Sequence, residues 1–487
     1  MSPTELDFDA CYRAVSARDA RFDGRFYTAV TTTRIYCRPI CPARTPGARN
    51  VRFYRHAASA EAAGFRPCKR CRPELSPGDP GWDLRGDLIG RALRLIDDGG
   101  ADEDGVAGLA RRLHITERHL HRLFVTELGV GPLAVARTRR LLLAKQLLTE
   151  TALPVTDVAF AAGFGSVRQF NATMRETYGF TPSELRATAG GLTRAARRED
   201  AATTPTTVAG AEGAQAGPAV LRLRLHGREP YDVEGVFTFL ASRAIPGLEV
   251  ADATSYSRVV PGGTITLTPQ RGHLALDVSV ADTRQLARIV ARCRRLLDLD
   301  ADPAAIADAL GRTSLAPLVA ARPGLRVPGT FDGFELAVRA VVGQQISVAG
   351  ARTLLGRIVA TAGARTADGH LFPTAAELLA AELDGLGLTT RRIATLKELA
   401  SRVDGGLIDL DGAQDPAEAV RELLAVPGIG PWTASYIALR ALRDPDAWPT
   451  GDLVLDRRMA ALDIPKEHLE RWRPWRAYAA LHLWSHS

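Results

Sequence analysis

Hydrophobic residues follow two different periods along this chain. Between about 84 and 190 they recur at helical spacing with arginine-rich faces between them, which predicts amphipathic helices. From 221 to 280 they alternate with polar residues, which predicts a small sheet, with helices over 231–245 and 286–297. The alternating segments are LRLRLHG, TSYSRVV, TITLTPQ and HLALDVSV. From Asp302 onward the pattern predicts helices almost throughout.

A segment almost free of large apolar residues separates these regions. It reads LTRAARREDAATTPTTVAGAEGAQAGPAV and is rich in Ala, Thr and Gly. Such a composition cannot bury enough surface to offset chain entropy, so we predict a flexible linker over 191–217. A linker of this length suits two independent halves better than a fixed interface.

Composition and charge narrow the class of protein. The chain has 487 residues, of which 46% are hydrophobic and 24% charged, as in soluble globular proteins. It shows no long apolar run and no basic-then-apolar start, so we expect a cytoplasmic protein without membrane contact. The net charge is +7, and all but four of the 62 cationic residues are arginine. That excess permits nucleic-acid binding, although a GC-rich genome would explain it equally well.

Four of the six cysteines form two close pairs, Cys37-x3-Cys41 and Cys68-x2-Cys71. Two pairs separated by a loop are typical of a closed zinc site with four thiolate ligands. Spacing alone favours a purely structural site. The other two cysteines, Cys11 and Cys293, have no such context.

The residues around these cysteines make the prediction more specific. The segments RIYCRPICPAR and GFRPCKRC resemble the N-terminal domain of Ada-type methylphosphotriester repair proteins, over most of residues 7–75. The resemblance implies that Cys37 is both a zinc ligand and the methyl acceptor, in a single-use reaction. A zinc-held thiolate is a suitable nucleophile at neutral pH. Five cations are expected near the adjacent phosphates: Arg38, Arg44, Arg66, Lys69 and Arg70.

Two helix-turn-helix patterns follow. The first spans 106–129, with its second helix beginning near Thr116, and the second spans 155–186, with a turn at Gly163 and a helix from near Ser166. One such pattern alone is weak, because ordinary helical packing produces it too. Two in tandem, joined through RTRRLLLAKQLL, resemble the AraC-type DNA-binding domain.

The resemblance implies that the second helix of each pattern reads DNA. The first of these helices would present Glu117, Arg118, His119, His121 and Arg122. The second would present Ser166, Arg168, Gln169 and Asn171. The apolar residues Leu120, Leu123 and Phe170 are expected in the core. Which side chains reach bases and which reach phosphates stays open.

The C-terminal part contains AVRELLAVPGIGPWTASYIALRAL over 419–442. The segment Val-Pro-Gly-Ile-Gly predicts a tight turn between two helices, a helix-hairpin-helix. Gly428 and Gly430 permit close backbone approach, and the helix that begins at Pro431 favours a phosphate at its N-terminus. Taken alone, this hairpin is typical of ligases, nucleases and ribosomal proteins as well.

Other segments single out one branch of this superfamily. Together with RPGLRVPG, FELAVRAVVGQQISVAGA, GDLVLDRR and WRPWRAYAALHLW, the hairpin resembles AlkA-type glycosylases over 219–485. The resemblance implies that Asp452 is catalytic. It also implies an aromatic pocket for a flipped, cationic base. The pocket positions are Phe239, Trp432, Tyr436 and Trp484. Ordinary core packing remains the alternative for these aromatic residues, as helix N-capping does for Asp452.

The resemblance also bears on mechanism. Relatives with lyase activity carry a lysine just after the hairpin, where this chain has Trp432, so we predict a monofunctional glycosylase without strand cleavage. No cysteine cluster follows Asp452, so no iron–sulfur cluster is expected. Gln345 and Leu453 stand where the family has an intercalating leucine and a tyrosine, which puts the lesion range in question. The family's hairpin-bound cation would use the carbonyls of Leu424, Val426 and Ile429.

Together these patterns predict a multidomain α+β protein for repair of alkylated DNA. The regions are an Ada-like zinc methyl-acceptor domain (1–80), an AraC-like reader (84–190), the linker (191–217), a small TBP-like α+β layer (218–300) and an all-α helix-hairpin-helix glycosylase domain (301–487).

The expected activities are excision of N-alkylated purines and methyl transfer that activates repair genes. Expected partners are double-stranded DNA and RNA polymerase. The competing hypothesis is a pure regulator whose glycosylase half is inactive. No PCHR motif is present in this sequence, so we do not expect it to contain the O6-alkylguanine transfer domain of full-length Ada.

Overall fold

The computed structural model describes residues 6–79, 88–188 and 220–485. The predicted linker over 191–217 lies outside these residues. Within the described ranges, no helix combines the length and the apolar character needed to cross a membrane. The described part holds many helices and two separate sheets, which confirms the multidomain α+β prediction.

The N-terminal module is built on a small mixed sheet, with strand order β3-β1-β2-β4. The strands are β1 (Tyr27–Val30), β2 (Ile35–Cys37), β3 (Val51–Tyr54) and β4 (Arg66–Pro67), and the helices are α1 (Phe8–Ala17) and α2 (Ala57–Ala62). Strands β2 and β4 pair in parallel, with Ile35 opposite Arg66. Parallel strands end at the same edge of a sheet, so the residues that close β2 and follow β4 come together there.

The two helix-turn-helix patterns form as predicted. The helices are α3 (Leu88–Asp97), α4 (Gly100–Glu103), α5 (Gly105–Arg112), α6 (Glu117–Leu128), α7 (Pro132–Glu150), α8 (Val155–Ala161) and α9 (Val167–Tyr178). Helices α6 and α9 begin after Thr116 and Ser166, whose side chains cap the third backbone N–H of each helix. Leu120 and Phe170 are fully buried and Leu123 is partly buried, as predicted for core residues.

A buried carboxylate joins the N-terminal module to this helical reader. The hydroxyls of Tyr36, on strand β2, and Tyr178, on helix α9, both donate to Glu61, at 3.0 and 3.3 Å. Thr138 on the long helix α7 donates to its other oxygen at 2.5 Å. Burial raises the pKa of Glu61, and the three hydroxyls offset part of that cost. The module and the reader therefore pack as one unit.

The second half opens with an antiparallel sheet in the order β5-β9-β8-β7-β6. Its strands are β5 (Leu221–Leu225), β6 (Glu249–Ala251), β7 (Tyr256–Val260), β8 (Gly263–Gln270) and β9 (His273–Val280), with helices α10 (Val233–Arg243) and α11 (Leu286–Leu296). Four of these strands and both helices were predicted. The edge strand β6 was missed, because its three residues are too few to show an alternating pattern.

The rest of the chain is helical, as predicted. Its helices are α12 (Pro303–Leu310), α13 (Ala316–Ala321), α14 (Gly333–Val342), α15 (Val348–Ala362), α16 (Ala375–Ala380), α17 (Thr390–Asp404), α18 (Pro416–Leu424), α19 (Pro431–Arg440), α20 (Leu453–Ala461) and α21 (Arg476–Trp484). The 3-10 helices of the described residues lie at Ala20–Phe22, Ala48–Asn50, Pro73–Leu75, Thr283–Gln285 and Lys466–Trp472. One large apolar core unites this domain, with helix α14 buried along most of its length.

The two halves of the chain are packed together, contrary to the expectation of independent halves. A single apolar core contains the inner faces of helices α7, α8 and α9 and of the five-stranded sheet. The expectation rested on the composition of the linker, which constrains how far two domains can separate but not whether their surfaces fit.

Candidate functional site

The four cysteines of the two pairs converge. Their sulfur atoms all lie within 4.8 Å of one another. Cys37 closes strand β2 and Cys68 directly follows the parallel strand β4, so the sheet brings the pairs together. Cys68 and Cys71 are buried, whereas Cys37 and Cys41 are partly exposed. The cluster is thus closed on one side and accessible on the side of Cys37.

This arrangement fits a tetrahedral zinc ion, which binds thiolates at about 2.3 Å. Without a cation, ionisation of Cys37 is unfavourable, because hydrogen bonding with Cys41 and the neighbouring thiols and burial hold the pKa of its thiol far above the ordinary value. Backbone N–H groups donate to two of the sulfurs: Arg38 to Cys71 at 3.3 Å and Arg70 to Cys68 at 3.4 Å. Such donors are the expected outer support of thiolate ligands.

One of the five cationic side chains expected near DNA phosphates forms contacts inside the module instead. Arg38 is buried, and its guanidinium pairs with Asp23 and donates to the Cys71 carbonyl at 3.3 Å. The expectation for Arg38 is therefore wrong, because this side chain supports the module from within. The other four are exposed at the module surface: Arg44, Arg66, Lys69 and Arg70.

The side chains predicted to read DNA lie on the outer faces of helices α6 and α9. Arg118 and Arg122 on α6 are exposed, and so are Arg168, Gln169 and Asn171 on α9. Arg122 lies 3.1 Å from the His119 ring nitrogen, one turn earlier on the same helix. The opposite faces carry the buried core residues, so both helices present polar side chains to solvent and apolar ones to the interior.

The predicted hairpin lies between helices α18 and α19. Gly428 has a φ of +97°, and a Cβ at this position would lie 2.2 Å from the Thr395 hydroxyl. Glycine is therefore required there by both backbone conformation and space. Gly430 caps helix α19, with open space around its Cα. Both glycines are exposed, so the hairpin backbone is available to a ligand.

A neighbouring loop is fastened to this hairpin through a residue that the sequence analysis missed. The Gln344 side chain donates to the Gly428 carbonyl and to the Thr433 hydroxyl, each at 3.0 Å. The backbone carbonyl of Gln344 accepts from the Arg392 guanidinium at 2.6 Å. The next residue, Gln345, is exposed with a φ of +57°, which projects it from the loop tip. The signal available in the sequence was the adjacent pair of glutamines before helix α15.

Four of the five predicted base-binding side chains line one cleft of 1040 Å³, together with Asp452. They are Phe239, Trp432, Tyr436 and Trp484. The rings of Trp432 and Tyr436 stack with centroids 5.2 Å apart and an angle of 9°. Trp484 meets Tyr436 at 6.4 Å and 64°. Gln345 does not line this cleft, although its neighbour Ile346 does.

Asp452 lies at this cleft with every oxygen engaged. Its Oδ1 accepts the backbone N–H groups of Val454 and Leu455, each at 2.9 Å, and so caps helix α20. Its Oδ2 accepts the indole N–H of Trp432 at 2.7 Å. The capping role and a role at the cleft are compatible, since the cap fixes the carboxylate in place. The contact with Trp432 was not predicted.

Two arginines that the sequence analysis missed, of which Arg440 is buried and Arg243 partly buried, complete the cleft wall. The guanidinium groups of Arg243 and Arg440 lie 3.9 and 4.6 Å from the ring centroid of Phe239. Arg440 also donates to the Tyr436 hydroxyl at 2.9 Å. Burial opposes ionisation of Tyr436, but Arg440 and then Arg243 outweigh it and lower the pKa of the phenol. Each arginine lies four residues after an aromatic residue on the same helix, which is the pattern that would have revealed it.

Three family models match the chain in regions that fit this geometry. The metal binding domain of Ada matches 10–74, a helix-turn-helix domain matches 109–188, and the AlkA N-terminal domain matches 222–332. The chain belongs to the family of bifunctional transcriptional activator/DNA repair enzymes that combine these domains.

Individual relatives cover either the whole chain or one half. A "probable bifunctional transcriptional activator/DNA repair enzyme AlkA" of Mycobacterium tuberculosis is 47% identical over 497 residues, covering 98% of this chain and 96% of that protein. DNA-3-methyladenine glycosylase 2 of Escherichia coli is 36% identical over 274 residues, covering 53% of this chain and 95% of that protein. The bifunctional activator and repair enzyme Ada of the same organism is 37% identical, covering 38% of this chain and 50% of that protein.

Proposed function

We propose that this protein repairs alkylated DNA by two separate reactions and activates transcription of repair genes. The second half acts as a glycosylase on N-alkylated purines of the 3-methyladenine type. The first half accepts a methyl group from a DNA methylphosphotriester. We assign these roles to the regions 1–80, 84–190, 218–300 and 301–487, joined by the linker at 191–217.

The observation that carries the glycosylase proposal is the placement of the Asp452 carboxylate beside an aromatic cleft. Alkylation makes a purine cationic, so the bond to its sugar breaks with the electron pair leaving on the base. Positive charge then develops on the sugar, and a fixed carboxylate stabilises it before water adds. The three donors to Asp452 hold the carboxylate in position, so no reorganisation is needed during the reaction. Phe239, Tyr436 and Trp484 would form the walls around the flipped base.

The cleft also supports a monofunctional reaction. Schiff-base chemistry needs an amine beside the sugar carbon. The position after the hairpin is Trp432, whose indole N–H donates to Asp452. The expected product is therefore an abasic site in an uncut strand.

Methyl transfer is assigned to Cys37, which is partly exposed at the open side of the thiol cluster. Its sulfur forms a bond to the methyl carbon while the bond from that carbon to the phosphate oxygen breaks, leaving a phosphodiester anion. Bound zinc would keep the thiols ionised at neutral pH. Cys41, Cys68 and Cys71 hold the other ligand positions. The product is a thioether, so each molecule accepts one methyl group.

DNA would be held at the helix-turn-helix reader and at the hairpin together with its neighbouring Gln345 loop. Arg118, Arg122, Arg168, Gln169 and Asn171 would contact promoter DNA. Gly428 and Gly430 would hold a phosphate backbone at the hairpin, with a cation at the carbonyls of Leu424, Val426 and Ile429 as a further candidate. Gln345 would fill the space left by the flipped base. Activation of transcription implies RNA polymerase as a partner.

The decisive experiment compares base release from N-methylpurine DNA by the native protein and by Asp452→Asn. Asparagine caps a helix as well as aspartate does, so helix α20 should be preserved while the charge is removed. We expect base release to fall by roughly 100- to 1000-fold. The matched control is Asp456→Asn, one turn later on the same helix, which should act like the native protein. Equal base release from Asp452→Asn would refute the assignment and favour a purely regulatory protein.

A further inference from the structure

One buried cation links the two halves of the chain. Arg228 belongs to the loop after strand β5 and is only 5% exposed. Its guanidinium donates to the carbonyls of Asp23 at 2.7 Å and Gly78 at 2.6 Å, both in the first half. It also donates to the carbonyl of Asp300 in its own half at 2.7 Å.

Burial of the Arg228 guanidinium carries a free-energy cost that its hydrogen-bond partners must offset. Desolvation lowers the pKa of Arg228, because a guanidinium loses its water when it is buried. The carbonyls that replace that water come in larger part from the first half. A buried charge that loses such partners is strongly destabilising. Arg228 is thus satisfied only when the two halves are together.

Further polar contacts surround this arginine. Arg25 of the first half forms an ion pair with Asp302, which is only 2% exposed. The Gly78 backbone N–H donates to the Asp300 carboxylate at 2.8 Å. These contacts use both side chains and backbone, so the two surfaces match in detail at this point.

The apolar part of the contact lies beside these polar groups. Leu147 on helix α7 and Leu223 on strand β5 are both fully buried in one shared core. At its edge the Gln146 side chain donates to the Arg224 carbonyl at 3.0 Å, and the Arg224 N–H donates to Glu150 at 3.1 Å. The reader helices therefore cover the five-stranded sheet at this point and shield it from solvent.

A second, separate patch joins the same halves. Ala413, in the loop before helix α18, is buried in the core of the first helix-turn-helix. Arg91 donates to its carbonyl at 3.0 Å. Nearby, Arg295 forms an ion pair with Asp98 at 3.0 Å. The two halves thus touch at two separate patches. Two patches fix the relative orientation of the halves, which a single contact would leave free.

We propose that the second half of the chain carries a docking surface for the methyl-acceptor and reader module, centred on Arg228, which holds the module without help from the linker. The surface fits one kind of partner: a module that offers backbone carbonyls to a buried guanidinium, a cation to Asp302 and an apolar helix to the sheet. The occupant is the described part of the first half of the same chain, residues 6–79 and 88–188. This inference is independent of both proposed reactions, since it rests on contacts alone.

The test uses the full chain with a recognition sequence for a specific protease placed between 200 and 210. After cleavage, the two fragments are passed over a size-exclusion column at micromolar concentration. We expect them to elute together with the mass of the intact chain. Arg228→Met should raise the dissociation constant of the fragments by roughly 30-fold or more, as loss of a buried charged partner does.

The matched control is Arg271→Met, which removes the same charge from an exposed turn of the same sheet. It should leave co-elution unchanged. Circular dichroism of uncleaved Arg228→Met tests whether the variant folds. If the variant does not fold, Arg25→Met on the opposite surface provides the same test.

Three results would overturn the proposal. The first is separate elution of the native fragments after cleavage. The second is native-like affinity in both Arg228→Met and Arg25→Met. The third is an uncleaved chain with twice the expected mass that separates into half-size particles when Arg228 is replaced, because the surface would then hold the first half of a second copy.

Discussion

The thiol cluster and the glycosylase cleft handle negative charge in opposite ways. At the cluster, four sulfurs lie within 4.8 Å of one another, and the backbone N–H groups of Arg38 and Arg70 donate to two of them. At the cleft, a single carboxylate receives three donors from within the protein. The first site needs a bound cation to hold its thiols ionised, whereas the carboxylate of the second is already held by donors of the protein. The two reactions should therefore respond separately to changes in metal and in protein donors.

Removal of the metal should produce the largest difference in effect between the thiol cluster and the cleft. Structural zinc contributes roughly 10 kcal/mol or more to the folding of small thiolate modules. Treatment with a strong chelator should abolish methyl uptake and loosen residues 10–74, which hydrogen exchange would detect. Base release should be unchanged under the same conditions. Loss of base release in parallel with zinc would contradict the separation drawn here.

Cys37→Ser should end methyl uptake without affecting the cleft. Mass spectrometry after incubation with methylphosphotriester DNA should find no added methyl group, because a hydroxyl is a much poorer nucleophile than a thiolate. Cys11→Ala, which removes a buried thiol from the same module but outside the cluster, should still gain one. A Cys37→Ser protein that gains a methyl group would exclude Cys37 as the acceptor.

Trp432→Phe sharpens the description of the cleft. Phenylalanine keeps a ring against Tyr436 but removes the N–H that donates to Asp452. Hydrogen bonds to charged groups contribute about 1.5–3 kcal/mol, so single-turnover base release should fall by roughly tenfold or more. Binding of lesion DNA should hardly change. The reverse result, weaker binding with an unchanged rate, would identify Trp432 as a stacking residue instead.

The smallest expected effect concerns DNA binding by the helix-turn-helix reader. Arg168→Ala removes one exposed cation from helix α9 and should weaken promoter binding by roughly fivefold. Gel-shift titration at fixed salt would measure it, with Arg175→Ala at the far end of the helix as the control. Neither reaction should change. A larger loss confined to one promoter sequence would indicate that Arg168 contacts a base rather than a phosphate.

Sequence reasoning succeeded where the information is local. The two cysteine pairs predict the cluster because each pair lies within one turn of chain. The caps Thr116 and Ser166 predict where helices α6 and α9 begin for the same reason. The cleft is different, since Phe239, Trp432 and Trp484 come from three distant helices, and only the resemblance to a known family brought them together.

What the sequence did not reveal are contacts between distant segments. The hydrogen bond from Trp432 to Asp452 depends on how helices α19 and α20 pack. Arg228 could not be distinguished from the many other arginines of the chain, because its partners are backbone carbonyls, which leave no trace in the side-chain pattern. The docking of the two halves was missed for that reason, and the composition of the linker pointed the other way.

The hydrogen bonds of Gln344 have a mechanical consequence. They fasten the Gln345 loop to the hairpin, so the spacing between these two elements is held. A duplex that does not match this spacing would have to be deformed to engage both, at a cost of about 1–6 kcal/mol. Stretches already weakened by damage are easier to bend, so the stiffness of this clamp would itself favour lesions over intact DNA.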